Sequence, residues 1–174
     1  MTSTATTTLN DVDLDAVAAL ADAVTHNEAA GDTTWSATVT WDGAFRSSAR
    51  IRDFAPITSD EPTGLGGSNT APNPVEQLLA ALGNCLAVGY AANASARGIT
   101  LHDVRIDLRG DLDLHTFLGL RPGHAGFSTI QAQVHIVSDA TDEQLQELHS
   151  AVTATSPVGH TLAAAIPVTI ELTD

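Results

Sequence analysis

One cysteine, seven arginines and seven histidines are the side chains of this sequence best suited to chemistry. Cys85 closes the stretch NPVEQLLAALGNC (73–85), whose apolar spacing is that of a helix. A thiol there has two possible uses. As a thiolate it is a nucleophile; left protonated in an apolar helix it is a small core residue. A mid-helix position receives no help from the N-terminal dipole, so a thiolate would need a cation brought in by the fold. Ser156 and His160 stand four apart in SPVGHTLAAA and would share a helix face. A Ser-His hydrolase also needs an oriented histidine and an oxyanion hole. The sequence has no Gly-x-Ser-x-Gly element, and Ser156 before Pro157 suits a helix N-cap. The histidines, at 26, 102, 115, 124, 135, 149 and 160, show no tight metal-ligand spacing, so no metal is expected. GLGG (64–67) lacks the Lys-Ser/Thr of a phosphate loop and is expected to be a turn. No cofactor is expected.

Composition narrows the partners. The 174 residues fit one domain, or one domain with an appendage. The formal charge of -14 comes from 21 acids against seven bases, every one an arginine. Such a surface repels nucleic acid and anionic membranes, and neither is expected as a partner. The longest apolar stretch is interrupted by Gly83, Asn84 and Gly89, so no membrane span is expected. The start MTSTATTTLNDVDLD has neither a basic nor an apolar segment of the secretory kind, and a single cysteine forms no internal disulfide. Together these point to the cytoplasm.

The elements that must position Cys85 follow from periodicity and punctuation. Residues 1–8 are Thr/Ser-rich and expected to be disordered, and 12–29 have helical spacing. WSATVTWDGAFRSSARIRDF is a hairpin turning at Asp42-Gly43. Residues 55–73, rich in Pro, Gly and Asn, are a long loop, a length uncommon without a task. The long helix starts with Asn73 as N-cap, Pro74 at the first position and Glu76 completing a capping box, and ends at Gly98. It is apolar nearly all round, so it should be buried on most sides by a sheet or a partner subunit. Residues 104–112 and 128–138 alternate as strands; 139–156 and SPVGHTLAAA are helices; IPVTIEL is a closing strand. Hairpin pairings of this kind indicate α+β.

Three segments, DEPTGLGGSNTAPNPVEQLLAALGNCL, GDLDLHTFLGL and SPVGHTLAAAIPV, occur in the order found in the OsmC/Ohr family, and the chain resembles that family from about Trp35 to its end. The resemblance implies an OsmC-like domain over 31–174, preceded by an extension with one helix over 1–30. It further implies an antiparallel sheet wrapped around long central helices in an intertwined homodimer, with active sites at the interface. The family's thiol peroxidases attack an organic hydroperoxide with a helix cysteine, resolve the sulfenic acid with a second cysteine, and tune the first thiolate with an Arg and a Glu. Cys85 falls at the peroxidatic position. Ser156 stands where the resolving cysteine opens Cys-Pro-Val. The family's Glu follows the Asn-Pro directly; here Val75 is there and Glu76 comes one step later. At about 100° per residue, ten steps leave two side chains roughly 80° apart and nine leave them about 180° apart. Glu76 should therefore point away from Cys85 and close the cap instead. Arg46, nearest the hairpin tip, takes the family's Arg position, with Arg50 and Arg52 beyond it on the strand.

The function implied is an OsmC-like hydroperoxide reductase with a one-cysteine cycle, in which Cys85 forms a sulfenic acid and an external thiol reduces it. The alternative is a catalytically weak or inactive dimeric binding protein that keeps an apolar ligand in the interface pocket. Val75, Leu79, Leu82 and Phe117 would line that pocket under either reading.

Overall fold

The computed structural model describes residues 8–173. The Thr/Ser-rich start thus lies outside the described residues except for Thr8. The chain forms two compact units, one of Asp15–Ala80 and the other made of the residues before and after it.

The Asp15–Ala80 unit holds all but the first residue of helix α1 (Leu14–His26) and an antiparallel sheet in the order β3 (Thr38–Trp41), β4 (Ser47–Arg50), β5 (Ile57–Ser59). The helix expected over 12–29 starts later because Val12–Asp13 are drawn into a strand, β2. The hairpin closes through Asp42–Arg46, with Asp42 N–H donating to Arg46 O at 2.9 Å. Gly43 and Ala44 both have positive φ, 94° and 51°. The turn is therefore longer than the Asp-Gly pair alone. β5 occupies what was expected to be loop; the true loop begins at Asp60. This unit buries Ser59, Asp60 and Asn73 and no apolar side chain. Val39, Trp41, Phe45, Phe54 and Ile57 are all exposed.

The other unit carries the hydrophobic core. β1 (Thr8–Leu9) and β2 form a two-residue hairpin around Asn10 and Asp11, at φ 53° and 59°. Asn10 then fastens it: its Nδ2 donates to Ser95 Oγ (3.0 Å) and Ile99 O (2.9 Å), and its Oδ1 accepts from Leu101 N (2.8 Å). Helix α2 (Pro74–Ala96) contributes its later turns. β6 (Leu101–Leu112) and β7 (Phe127–Ser138) make a long antiparallel ribbon, linked by a loop containing the short α3 (Leu114–Phe117). Helices α4 (Asp142–Thr155) and α5 (Pro157–Ala163) follow.

α2 has the caps its sequence predicts. Asn73 Oδ1 accepts from Glu76 N at 2.9 Å while Glu76 Oε2 accepts from Asn73 N at 2.8 Å. At the other end Gly98 sits at φ 70°, with Ile99 N donating to Ala94 O and Gly98 N to Ser95 O, a Schellman closure. Its buried stripe, Leu82, Leu86, Tyr90 and Ala94, recurs every four residues. That stripe packs with Val104, Ile106 and Leu108 of β6, Val134 and Ile136 of β7, and Leu148 and Val152 of α4. Each leucine so buried contributes about 1.5–3 kcal/mol. Burial on most sides was expected, yet Val88 remains 70% exposed, because within one chain only one face of α2 meets the ribbon and α4. The helix is long and apolar enough to cross a membrane by length and composition, in contrast to the expectation from its glycines. Its Leu82, Leu86, Tyr90 and Ala94 stripe is buried in the hydrophobic core.

The ribbon's alternation is as predicted. Val104 and Ile106 pair with Ile136 and Val134 toward the core, and Leu108, also packed on it, pairs with the exposed Ala132. The intervening Arg105, Asp107, Arg109 and Asp111 face solvent, with ion pairs at 3.1 Å between Arg105 and Asp107 and between Arg109 and Asp111. The expected closing strand is absent: Ile166, Val168, Ile170 and Leu172 are exposed and belong to no ladder among the described residues.

Candidate active site

Cys85 is half-buried on α2, and its placement follows from a glycine one turn further along. At Gly89 the helix has no side chain, and an added Cβ would lie 2.9 Å from Val152 Cγ1. Val152 of α4 fills that space. Four residues back along α2 is Cys85; four residues on from Val152 is Ser156. The antiparallel approach brings Cys85 Sγ to 3.3 Å from Ser156 Oγ across 71 residues of sequence.

Ser156 is buried and joins α4 to α5. It is the C-cap of one helix and the N-cap of the next, its Oγ accepting from Gly159 N at 3.1 Å. Pro157 at the first position of α5 lacks the N–H that would otherwise be unpaired there. With one lone pair engaged by Gly159, the hydroxyl keeps its proton for a sulfur anion, or accepts from a thiol. Beside the pair lies a hollow of about 410 Å³. Val88, Ala92, Val152 and Pro157 give it apolar walls, and Asn84 and Thr155 stand at its edge.

The remaining candidates are placed differently. Leu82 is buried and lines another hollow with Phe127, Ile130 and Leu162. Phe117 ends α3 and is exposed. Val75 and Leu79, both half-buried, and Glu76 belong to the Asp15–Ala80 unit, in the first turns of α2. The Glu76 carboxylate closes the cap on Asn73, as its spacing predicts. Arg46 lies in the β3–β4 turn of the same unit, and of Arg46, Arg50 and Arg52 only Arg50 falls within β4. Arg52 lies at φ 48° with its guanidinium 4.7 Å over the Phe54 ring.

Several side-chain arrangements escape sequence reasoning. Val88 and Ala92 could have been found by stepping three and seven residues from Cys85 along the helix. Asp60 could not. Its buried carboxylate accepts from Thr70 N and Thr70 Oγ1, Ser68 N and Glu61 N, which folds residues 60–70 around it. The Thr70 amide above all holds its pKa below the ordinary carboxylate value. Glu61 Oε2 then accepts from Asn73 Nδ2 at 3.3 Å, tying that loop to the cap of α2. Tyr90 and His149, 59 residues apart, meet at 2.5 Å between Oη and Nδ1. Among the described residues no group of histidine, cysteine and carboxylate side chains is arranged to hold a metal.

A long helix laid on an antiparallel ribbon, with a half-buried cysteine facing a helix-capping serine, defines an α+β domain built around one thiol. A family profile described as OsmC-like protein matches residues 66–171, and the chain belongs to that family. Solved structures agree in fold. An OsmC-like protein from Mycoplasma pneumoniae is 21% identical over 76% of this chain and 89% of its own, with a TM-score of 0.66. An organic hydroperoxide resistance protein OsmC from Legionella pneumophila is 18% identical over 75% and 91%, with a TM-score of 0.58. One from Elizabethkingia anophelis is 16% identical over 75% and 89%, with a TM-score of 0.56. No curated protein matches the chain.

Proposed function

We propose that this protein is a one-cysteine hydroperoxide reductase, with Cys85 as nucleophile and an external thiol as reductant. The observation that carries the reading is the 3.3 Å approach of Cys85 Sγ to Ser156 Oγ beside an apolar hollow. The thiolate attacks the distal peroxide oxygen, the O–O bond breaks, and the alkoxide leaves as an alcohol after taking a proton. The sulfenic acid condenses with one external thiol, releasing water and forming a mixed disulfide; a second thiol frees Cys85. Ser156 carries no sulfur, so both electrons must come from outside the chain. The hollow's apolar walls suit an organic hydroperoxide. A cytoplasmic location fits a cycle that depends on reduced thiols.

The reading includes a homodimer. It is supported by the Asp15–Ala80 unit, which buries no apolar side chain of its own, and by the 70% exposure of Val88 beside the hollow. Arg46 is assigned a supporting role only through family position; Glu76 stands one step past the family's Glu position and acts on α2 as a cap.

The test is direct. Cumene hydroperoxide should consume the single thiol, form a dimedone-reactive sulfenic acid and turn over with dithiothreitol; Cys85→Ser should do none of these. A thiol that stays intact in the folded protein ends the peroxidase reading. The apolar walls and the missing second cysteine would then favour the other reading, a binding protein for an apolar ligand, recognised by a molecule that co-purifies and leaves on denaturation.

A further inference from the structure

A second hollow, of about 650 Å³, lies between α4 and β7, wholly within the unit that carries the core. Its lining shares no residue with that of the Cys85 hollow. Val134, Ile136 and Leu145 form an apolar floor, and Asp142, Gln146 and His149 give it polar edges. At its base Tyr90, fully buried, meets His149 Nδ1 through its hydroxyl, with the two rings stacked at 6.2 Å.

That contact fixes the imidazole. Tyr90 is surrounded by apolar side chains, and among the described residues His149 is the one acceptor within reach of its hydroxyl proton. Were Nδ1 the donor, a buried O–H would be left unpaired, which is costly. The hydroxyl therefore donates to Nδ1, and the imidazole proton sits on Nε2. Burial, which holds the Tyr90 phenol in its protonated form, agrees. His149 is exposed and lines the hollow, so Nε2–H is a donor with its tautomer already set.

We propose that this hollow binds an uncharged molecule with an apolar body and a carbonyl head that accepts from His149 Nε2–H. The volume falls in the range of small-molecule sites, which run from about 300 to 1,000 Å³. The Asp142 carboxylate at the edge, and a chain charge of -14, oppose a carboxylate or phosphate head. An ammonium head would meet the Nε2–H donor unfavourably. The floor takes the apolar body. The site goes beyond the peroxide reading and does not depend on it.

The test titrates the full chain with 2-heptanone, heptanoate and heptylamine while following the His149 imidazole nitrogens by NMR. The expected result is a saturable shift with the ketone, with neither charged analogue competing. In His149→Phe, ketone binding followed through the Val134 and Ile136 methyls should weaken about three- to tenfold, the worth of one hydrogen bond. Tyr90→Phe should return a mixture of imidazole tautomers while the fold persists. No saturable shift with the ketone, equal binding of heptanoate or heptylamine, or unchanged affinity in His149→Phe would overturn the proposal.

Discussion

Ser156 Oγ lies 3.3 Å from Cys85 Sγ and at the same time caps α5 through Gly159 N. One oxygen thus serves both the candidate chemistry and the helix junction that brings it there. Replacing it separates the two roles.

Ser156→Cys puts a second sulfur beside the first. Peroxide treatment should then remove both thiols, and dithiothreitol should restore both, as read by free-thiol titration. The wild-type thiol under the same excess should pass on to irreversible sulfinic acid. Since the N-cap hydroxyl is lost, the reduced variant should be less stable by about 1 kcal/mol in a denaturant titration. If oxidation leaves two titratable thiols, the side chains do not meet in solution.

Gly89 and Gly83 should respond differently to alanine. At Gly89 the added Cβ would lie 2.9 Å from Val152 Cγ1, a stiff and buried neighbour. Overpacking of that kind costs about 1–3 kcal/mol, against a gain in helix propensity of about 1 kcal/mol. Gly89→Ala should therefore lose stability and push Ser156 away from Cys85, slowing peroxide consumption. At Gly83 the clash, 2.8 Å, is with the end of the Leu108 side chain, which can turn aside. Gly83→Ala should stay within about 1 kcal/mol of wild type, and parallel urea titrations compare the two.

Asp60 makes the order of its loop sensitive to acid. Its folded carboxylate is more acidic than in the unfolded chain, chiefly through the Thr70 amide, so its contribution is present above the ordinary value of about 4 and is lost as pH falls through the folded value. Hydrogen exchange at Ser68 and Thr70 should lose protection below about pH 4. In Asp60→Asn that protection should be reduced at neutral pH and depend less on acid. Wild-type protection that is flat with pH would show the carboxylate does not organise the loop.

How much was legible in the sequence depended on how local the signal was. Both ends of α2 were readable because Asn73, Pro74, Glu76 and Gly98 act within one turn of where they stand. The core stripe of β6 and β7 followed from strict alternation. β5 was missed because Ile57–Ser59 is short and lies among prolines and glycines, so that pairing with β4 decides it. The closing strand was expected because Ile166, Val168, Ile170 and Leu172 alternate, but alternation supplies no edge to pair with. The Cys85–Ser156 pair was reachable only through resemblance to a family. Tyr90 and His149 carried no signal at all, since neither stands in a motif and only α4 packing on α2 joins them.

If a homodimer covers the Asp15–Ala80 unit, dilution becomes a variable of its folding. A segment whose buried residues are Ser59, Asp60 and Asn73 has little hydrophobic free energy to hold β3–β5 together. If a second copy supplies the missing cover, the order of those strands obeys mass action, and each tenfold drop in protein concentration removes about 1.4 kcal/mol from it. The β6–β7 ribbon, packed on α2 and α4, owes no such debt to its neighbours. Amide exchange would then quicken on dilution in the hairpin and stay constant in the ribbon, so that one chain reports both its own stability and its stoichiometry.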